Sequence, residues 1–67
     1  MIRITVNGAA HRFDRPVDVS ALLSSLNLAG RKVAVERNGE IVPRSLYGGT
    51  TLVQGDKLEI VVAVGGG

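Results

Sequence analysis

The stretch Lys57-Leu58-Glu59-Ile60-Val61-Val62-Ala63-Val64-Gly65-Gly66-Gly67 decides how the rest of the chain is read. Leu58, Ile60, Val62 and Val64 alternate with Lys57, Glu59, Val61 and Ala63, the period-two pattern of a strand with one buried face. The strand stays apolar to Val64, and then every side chain vanishes for residues 65–67. Glycine loses the most entropy on ordering and adds nothing to a core. Chain ends do fray, but so sharp a boundary sets a folded unit at residues 1–64 apart from a flexible tail at 65–67.

Working back from that strand, Gly55-Asp56 supplies a turn, and Arg44 to Thr51, with Gly48-Gly49, reads as an irregular crossover with one short helical turn at Ser45-Leu46-Tyr47. Before it, Lys32 to Arg37 alternates through Val33 and Val35. Asn38-Gly39 is a strong two-residue hairpin signal, and Glu40-Ile41-Val42 returns until Pro43 stops the ladder. Val19, Leu22, Leu23 and Leu26 fall at i, i+3, i+4 and i+7, which predicts a helix capped by Asp18, stapled by Val17 against Leu22, and ended at Gly30. At the start, Ile2, Ile4 and Val6 alternate with Arg3 and Thr5, Asn7-Gly8 turns the chain, and a second strand runs through about His11 to Asp14 with Phe13 inward.

The order is therefore hairpin, helix, hairpin, crossover, final strand. One helix laid across a face of a mixed sheet of four to five strands buries the apolar side of both. The expected fold class is α+β, a ubiquitin-like β-grasp. Its first and last strands become central neighbours, which fits their clean alternation and their freedom from Pro and Gly.

Composition narrows the function classes. A chain of 67 residues builds a core that supplies only about 3–5 kcal/mol of net stability, too little to frame a deep catalytic cleft. With no cysteine there is no disulfide framework, no thiolate nucleophile and no ordinary structural zinc site, and a reducing, cytoplasmic location is expected. The start Met1-Ile2-Arg3-Ile4-Thr5-Val6 has neither the apolar run nor the cleavage pattern of a signal peptide, and no stretch approaches a membrane span. The net charge is only +2, and the aromatics are Phe13 and Tyr47 alone, so a stacking platform for nucleic acid is not expected. His11, the single histidine, has no cysteine or second histidine with which to hold a metal. The carboxylates Asp14, Asp18, Glu36, Glu40, Asp56 and Glu59 read as solvated charges at turns, a cap and strand surfaces. Gly48-Gly49-Thr50-Thr51 lacks the Gly-Lys-Ser/Thr of a phosphate-binding loop.

What remains is the tail. Three extended residues reach roughly 10 Å beyond the globule, and without Cβ atoms they thread a channel that would reject other sequences. The group so delivered is a carboxylate at Gly67, inert toward sulfur or amine nucleophiles until converted to a mixed anhydride. Such a tail implies an ATP-using partner that adenylates it and that holds the Mg²⁺, since this chain has no phosphate site of its own. If Val62 and Val64 face the helix, Val61 and Ala63 lie on the opposite sheet face, where an apolar patch flanked by Arg44 and Tyr47 is a candidate docking surface.

The segment Val33-Ala34-Val35-Glu36-Arg37-Asn38-Gly39-Glu40-Ile41-Val42-Pro43-Arg44-Ser45, followed by the aromatic Tyr47, resembles the small sulfur carriers of thiamin biosynthesis, the ThiS family, as does Gly55 to Gly67. The resemblance covers essentially the whole chain and is most specific in Asn-Gly-x-x-Val-Pro-Arg and in the Ala-Val-Gly-Gly-Gly ending. Tyr47 stands where tryptophan is as often expected. The resemblance implies a β-grasp carrier, not an enzyme, whose Gly67 is adenylated by an E1-like (ThiF-type) adenylyltransferase. A donor such as a cysteine desulfurase then supplies sulfur for a thiocarboxylate, which is passed to a ThiG-type thiazole synthase. Gly65, Gly66 and Gly67 are the implied working residues. The alternatives are a related carrier serving molybdopterin or transfer RNA, a modifier forming isopeptide bonds, or a small binding module that uses Arg31, Lys32 and Arg37 on RNA and whose tail is incidental.

Overall fold

Both Asn-Gly pairs form tight hairpin turns. Asn7 and Gly8 sit at φ 51° and 84°, and Asn38 and Gly39 at 52° and 86°, the left-handed values that a two-residue type I′ turn requires of both central residues. They join β1 (Ile2–Val6) to β2 (Ala9–Phe13) and β3 (Val33–Arg37) to β4 (Glu40–Ile41). In this computed structural model, which describes residues 1–63, β5 (Lys57–Val62) lies between the two hairpins, giving a five-stranded sheet in the order β2-β1-β5-β3-β4. β5 runs parallel to β1 and antiparallel to β3. The first and last strands are central neighbours, as the alternation predicted. Val64, expected as the last residue of β5, lies outside the described residues.

The single α-helix, α1 (Val19–Ser25), covers one face of the sheet, with Val19, Leu22 and Leu23 buried. Asp18 caps it as expected, its Oδ1 accepting the Ala21 N–H at 2.7 Å. The helix does not run on to Gly30. Asn27 takes the left-handed conformation at φ 62°, its N–H donating to the Ser24 carbonyl at 3.0 Å while Leu28 N–H donates to Leu23 at 2.8 Å. These two bonds are a Schellman termination with asparagine in the position glycine usually fills. Gly30, at φ 80°, belongs to the next turn, closed by Arg31 N–H on the Leu28 carbonyl at 3.0 Å.

The crossover is more ordered than its composition suggests. A 3₁₀ helix spans Arg44–Gly49, wider than the single turn expected at 45–47. After it, the chain returns beside the helix start: Val19 N–H donates to Thr50 at 3.1 Å and Leu52 N–H to Val17 at 2.8 Å. This pairing drives Leu52 into the core, where it is fully buried beside Ile4, Val19, Leu22, Val35 and Leu58. Burying one such aliphatic side chain contributes about 1.5–3 kcal/mol, so a few residues supply most of the stability of so small a chain.

Candidate functional site

The working residues expected from the sequence, Gly65, Gly66 and Gly67, lie outside the described residues, so the structure defines the root from which they depart. That root is the end of β5. On its β3 side the ladder continues to Ala63, whose N–H donates to the Lys32 carbonyl at 2.9 Å. On its β1 side the parallel ladder runs through Thr5 N–H on Asp56 at 3.0 Å and Asn7 N–H on Leu58 at 2.9 Å. β1 then turns away at Asn7-Gly8, yet Ile60 is still paired. Its N–H donates to Asn7 Oδ1 at 2.9 Å, and its carbonyl accepts from Asn7 Nδ2 at 3.0 Å. The other end of the parallel pair is closed in a similar way, with Arg3 N–H donating to Gln54 Oε1 at 2.8 Å.

The helix leaves the opposite face of the sheet open. Val61, expected on that face, is 66% exposed, and Ala63 is exposed beside the root. Ala34 stands directly across from Val61 and is exposed too. Ile41, 74% exposed, stands across β4 from Glu36. Behind this apolar group, Glu36 and Glu59 are cross-strand partners. On the same face, toward the β2 edge of the sheet, Arg3 faces Arg12 and Thr5 faces Lys57. Like charges placed directly opposite each other weaken an isolated sheet. Among the described residues neither pair has an opposite charge within ion-pairing distance, the ion pair present being Arg37 to Asp56.

Arg44 and Tyr47 do not flank Val61. Both belong to the 3₁₀ helix, which packs with α1 on the covered side of the sheet. Arg44 is exposed there, while Tyr47 is half-buried against the core and its hydroxyl donates to the Val33 carbonyl at 3.4 Å. An aromatic followed two residues later by Gly-Thr-Thr gave no signal of this inward turn.

Asp56 corrects the reading of all six carboxylates as solvated: it is only 5% exposed. Its Oδ2 accepts from Arg37 Nε and from Val53 N–H, both at 2.9 Å, and its Oδ1 accepts from Asn38 Nδ2 at 3.0 Å. Burial alone pushes this carboxyl up. The Val53, Asn38 and Arg37 hydrogen bonds and the Arg37 charge more than offset burial, so it sits below the usual 3.8. This cluster ties the β3–β4 turn to the start of β5, at the end of the strand opposite the tail, and its partners are all structural. Arg37 is therefore engaged and not a free cation for nucleic acid.

Among the described residues, no three His, Asp or Glu side chains are grouped to hold a metal, and no helix is long and apolar enough to cross a membrane. Two shallow clefts, of about 210 Å³ by Arg37, Ile41 and Leu46 and about 240 Å³ by Arg3 and Gln54, fall below the roughly 300–1,000 Å³ of ligand sites. The described surface thus offers faces and a strand end for contact more than a pocket for chemistry.

The chain is similar to known proteins along its whole length. It is 48% identical over 98% of its residues to a thiazole synthase of Paramagnetospirillum magneticum, but spans only 20% of that protein. It is 38% identical to the ycf40 protein of Pyropia yezoensis, covering 98% of this chain and 93% of that one. The crystal structure of the thiamine biosynthesis protein ThiS from Geobacter metallireducens superposes with a TM-score of 0.82 at 38% identity, over 98% of this chain and 100% of that one. The model of the ThiS family matches residues 4–67, and with a shared β-grasp fold this establishes that the chain belongs to the ThiS family.

Proposed function

We propose that the chain is a sulfur carrier for thiazole formation in thiamin biosynthesis, a cosubstrate of partner enzymes and not itself a catalyst. The observation that carries this reading is the Gly65-Gly66-Gly67 ending, which in sequence follows the close of β5 after Ala63 and Val64, in a member of the ThiS family. In the first step a carboxylate oxygen of Gly67 attacks the α-phosphorus of Mg-ATP on an E1-like adenylyltransferase, forming an acyl-adenylate and releasing pyrophosphate. The persulfide of a donor such as a cysteine desulfurase then attacks the acyl carbon and displaces AMP, and a thiol reductant cleaves the resulting acyl disulfide to leave a thiocarboxylate, a far better sulfur nucleophile than any side chain here. Mg²⁺ and ATP are held by the partner. The acceptor is a thiazole synthase. Supporting this, a segment like this chain forms part of the Paramagnetospirillum protein named thiazole synthase, and units carried on one polypeptide commonly act together.

The open sheet face beside the root, with Val61 and Ala63 exposed, is the surface we assign to partner docking. Exposed apolar side chains next to the delivered tail give the partner something to bury. The RNA-binding alternative loses ground because Arg37 is held by Asp56, and because Phe13 and Tyr47 both pack against the core.

The test starts from the intact mass of the native protein, since the chemistry needs a free carboxylate at Gly67. The protein is then incubated with its adenylating enzyme, Mg-ATP and a sulfide source, beside a variant lacking Gly66-Gly67. A mass gain equal to one oxygen-for-sulfur exchange, absent in the truncation, is the expected result. An unchanged mass with an active enzyme overturns the reading.

A further inference from the structure

We propose that Asn7 is a positioning residue for the tail: its side-chain amide stands in for the missing neighbour strand and fixes the direction in which β5 hands over to the glycines. The proposal rests on the sulfur-carrier reading and deepens it.

The argument is one of ladder geometry. In a parallel pair, each residue of one strand that bonds its neighbour donates its N–H to one residue of the other strand and accepts at its carbonyl from the residue two places on. Thr5 and Asn7 donate to Asp56 and Leu58 in this way. The next bonds, to the N–H and carbonyl of Ile60, would come from the Asn7 carbonyl and the N–H of a residue beyond it. Both are taken out of reach by the type I′ turn, in which Asn7 adopts φ 51°. The Asn7 side chain supplies both, its oxygen accepting the Ile60 N–H and its nitrogen donating to the Ile60 carbonyl at 2.9 and 3.0 Å. One residue therefore does two tasks that conflict in its main chain: it turns β1 away and keeps β5 paired. Few side chains manage both, because asparagine tolerates the left-handed region and carries a donor and an acceptor on one short planar group.

The place of this clamp gives it a functional meaning. Ile60 is the last residue of β5 held from the β1 side; beyond it the strand is held only by β3, up to Ala63. With Ile60 freed on the β1 side, Val61 to Ala63 are tethered along one edge only, so the ladder end from which the tail departs is free to twist and fray. Releasing the clamp reduces the fraction of carriers whose tail points along the partner's channel. The chemistry at Gly67, once the tail is seated, is unaltered.

The experiment compares the parent with Asn7→Gly and Asn7→Asp in the full chain. Glycine keeps the turn and removes both amide bonds. Aspartate keeps the turn and the acceptor for Ile60 N–H but loses the donor. Asn27→Ala, remote from β5, serves as a control of comparable stability loss. Amide exchange of Ile60 and steady-state adenylation by the partner enzyme with Mg-ATP are measured on each. Expected are faster exchange at Ile60 and a KM for the carrier raised by about tenfold or more in Asn7→Gly, where both amide hydrogen bonds are lost together. Asn7→Asp should fall in between, with kcat unchanged throughout and KM unchanged in Asn27→Ala. An unchanged KM in Asn7→Gly while Ile60 exchanges faster overturns the positioning role alone, as does an equal rise in Asn27→Ala. Failure of the parent itself to be adenylated overturns the carrier reading and this role with it.

Discussion

Replacing Asp56 by alanine takes the acceptor away from three donors at once: Arg37 Nε, Asn38 Nδ2 and Val53 N–H. Hydrogen bonds to a charged group are worth about 1.5–3 kcal/mol each when cleanly buried. Arg37 and Val53 are partly exposed, at 30% and 47%, so water recovers part of what they lose, and a total near 3 kcal/mol is the reasonable sum. That is most of the roughly 3–5 kcal/mol available to a chain of this size. At about 4–8 °C per kcal/mol for a small domain, Asp56→Ala should lower Tm by about 12–24 °C. Asp56→Asn should cost less, but not nothing. An amide nitrogen in the Oδ1 position would face Asn38 Nδ2, and Asn38 cannot flip without releasing the Lys57 N–H that its own oxygen accepts at 2.9 Å.

The same cluster sets an acid response. The Asp56 carboxyl is held below 3.8 in the folded state, so the unfolded chain takes up this proton first as the pH falls. Its contribution is complete above 3.8 and is lost as the pH drops through the lower folded value. Chemical denaturation of parent and Asp56→Asn from pH 7 to pH 2 should show a stability gap that is constant down to about pH 5 and closes below it. A gap that does not narrow as the pH falls below 3.8, or an Asp56→Ala variant as stable as the parent, would refute the assignment of this cluster as the clasp between the β3–β4 turn and β5.

Three further outcomes are expected. Asn27→Ala should destabilise by about 1 kcal/mol, because alanine lacks the short polar side chain that lets asparagine tolerate the left-handed region, whereas Asn27→Gly, which removes the Cβ, should be neutral or better; thermal melts of the pair decide whether the helix ends where the Schellman bonds place it. Leu52→Ala, removing a fully buried side chain, should cost about 2–5 kcal/mol and leave the chain largely unfolded by far-UV circular dichroism at 25 °C. Glu59→Gln should raise stability by about 0.2–1 kcal/mol by removing the charge opposite Glu36, with the gain shrinking as salt is added; no gain at low salt would show that the two carboxylates do not feel each other.

The elements that strict local chemistry governs were legible. Asn-Gly admits few turns, so both hairpins follow from the sequence, and the alternation of β1 and β5 places those strands side by side; the second strand, expected from about His11 to Asp14, instead runs Ala9–Phe13, because the two-residue turn sets Ala9 directly opposite Val6. What was missed depends on partners far away in the chain. Leu52 sits in a segment with no periodicity, and only its pairing with Val17 shows that it points inward. Asp56 looks like any turn aspartate until Arg37 and Asn38, 19 and 18 residues before it, are brought alongside. Gly30 drew the helix end three residues too far because asparagine at a left-handed helix end is a weaker signal than glycine. Asn7 was read correctly as a turn residue, but its second task, on Ile60, is 53 residues distant.

The open face is the part of the molecule that folding explains least. A sheet selected only for its own stability would not set Glu36 against Glu59 and Arg3 against Arg12, nor leave Val61 and Ile41 bare beside them. Each of these features weakens the isolated fold slightly or leaves it unchanged, and each is relieved by a partner surface that buries the apolar side chains and sets opposite charges against the paired ones. The covered face shows the opposite character, with β1, β3 and β5 turning aliphatic side chains toward α1 and, among the described residues, the buried carboxylate of Asp56 fully bonded. A change on the open face should therefore alter partner engagement with little loss of fold, and a change on the covered face should do the reverse. This separation lets docking and stability be dissected in the same protein, with Glu59→Gln on the open face and Ile4→Val on the covered face, a change that costs about 0.5–1.5 kcal/mol and leaves the chain folded, as the opposing probes.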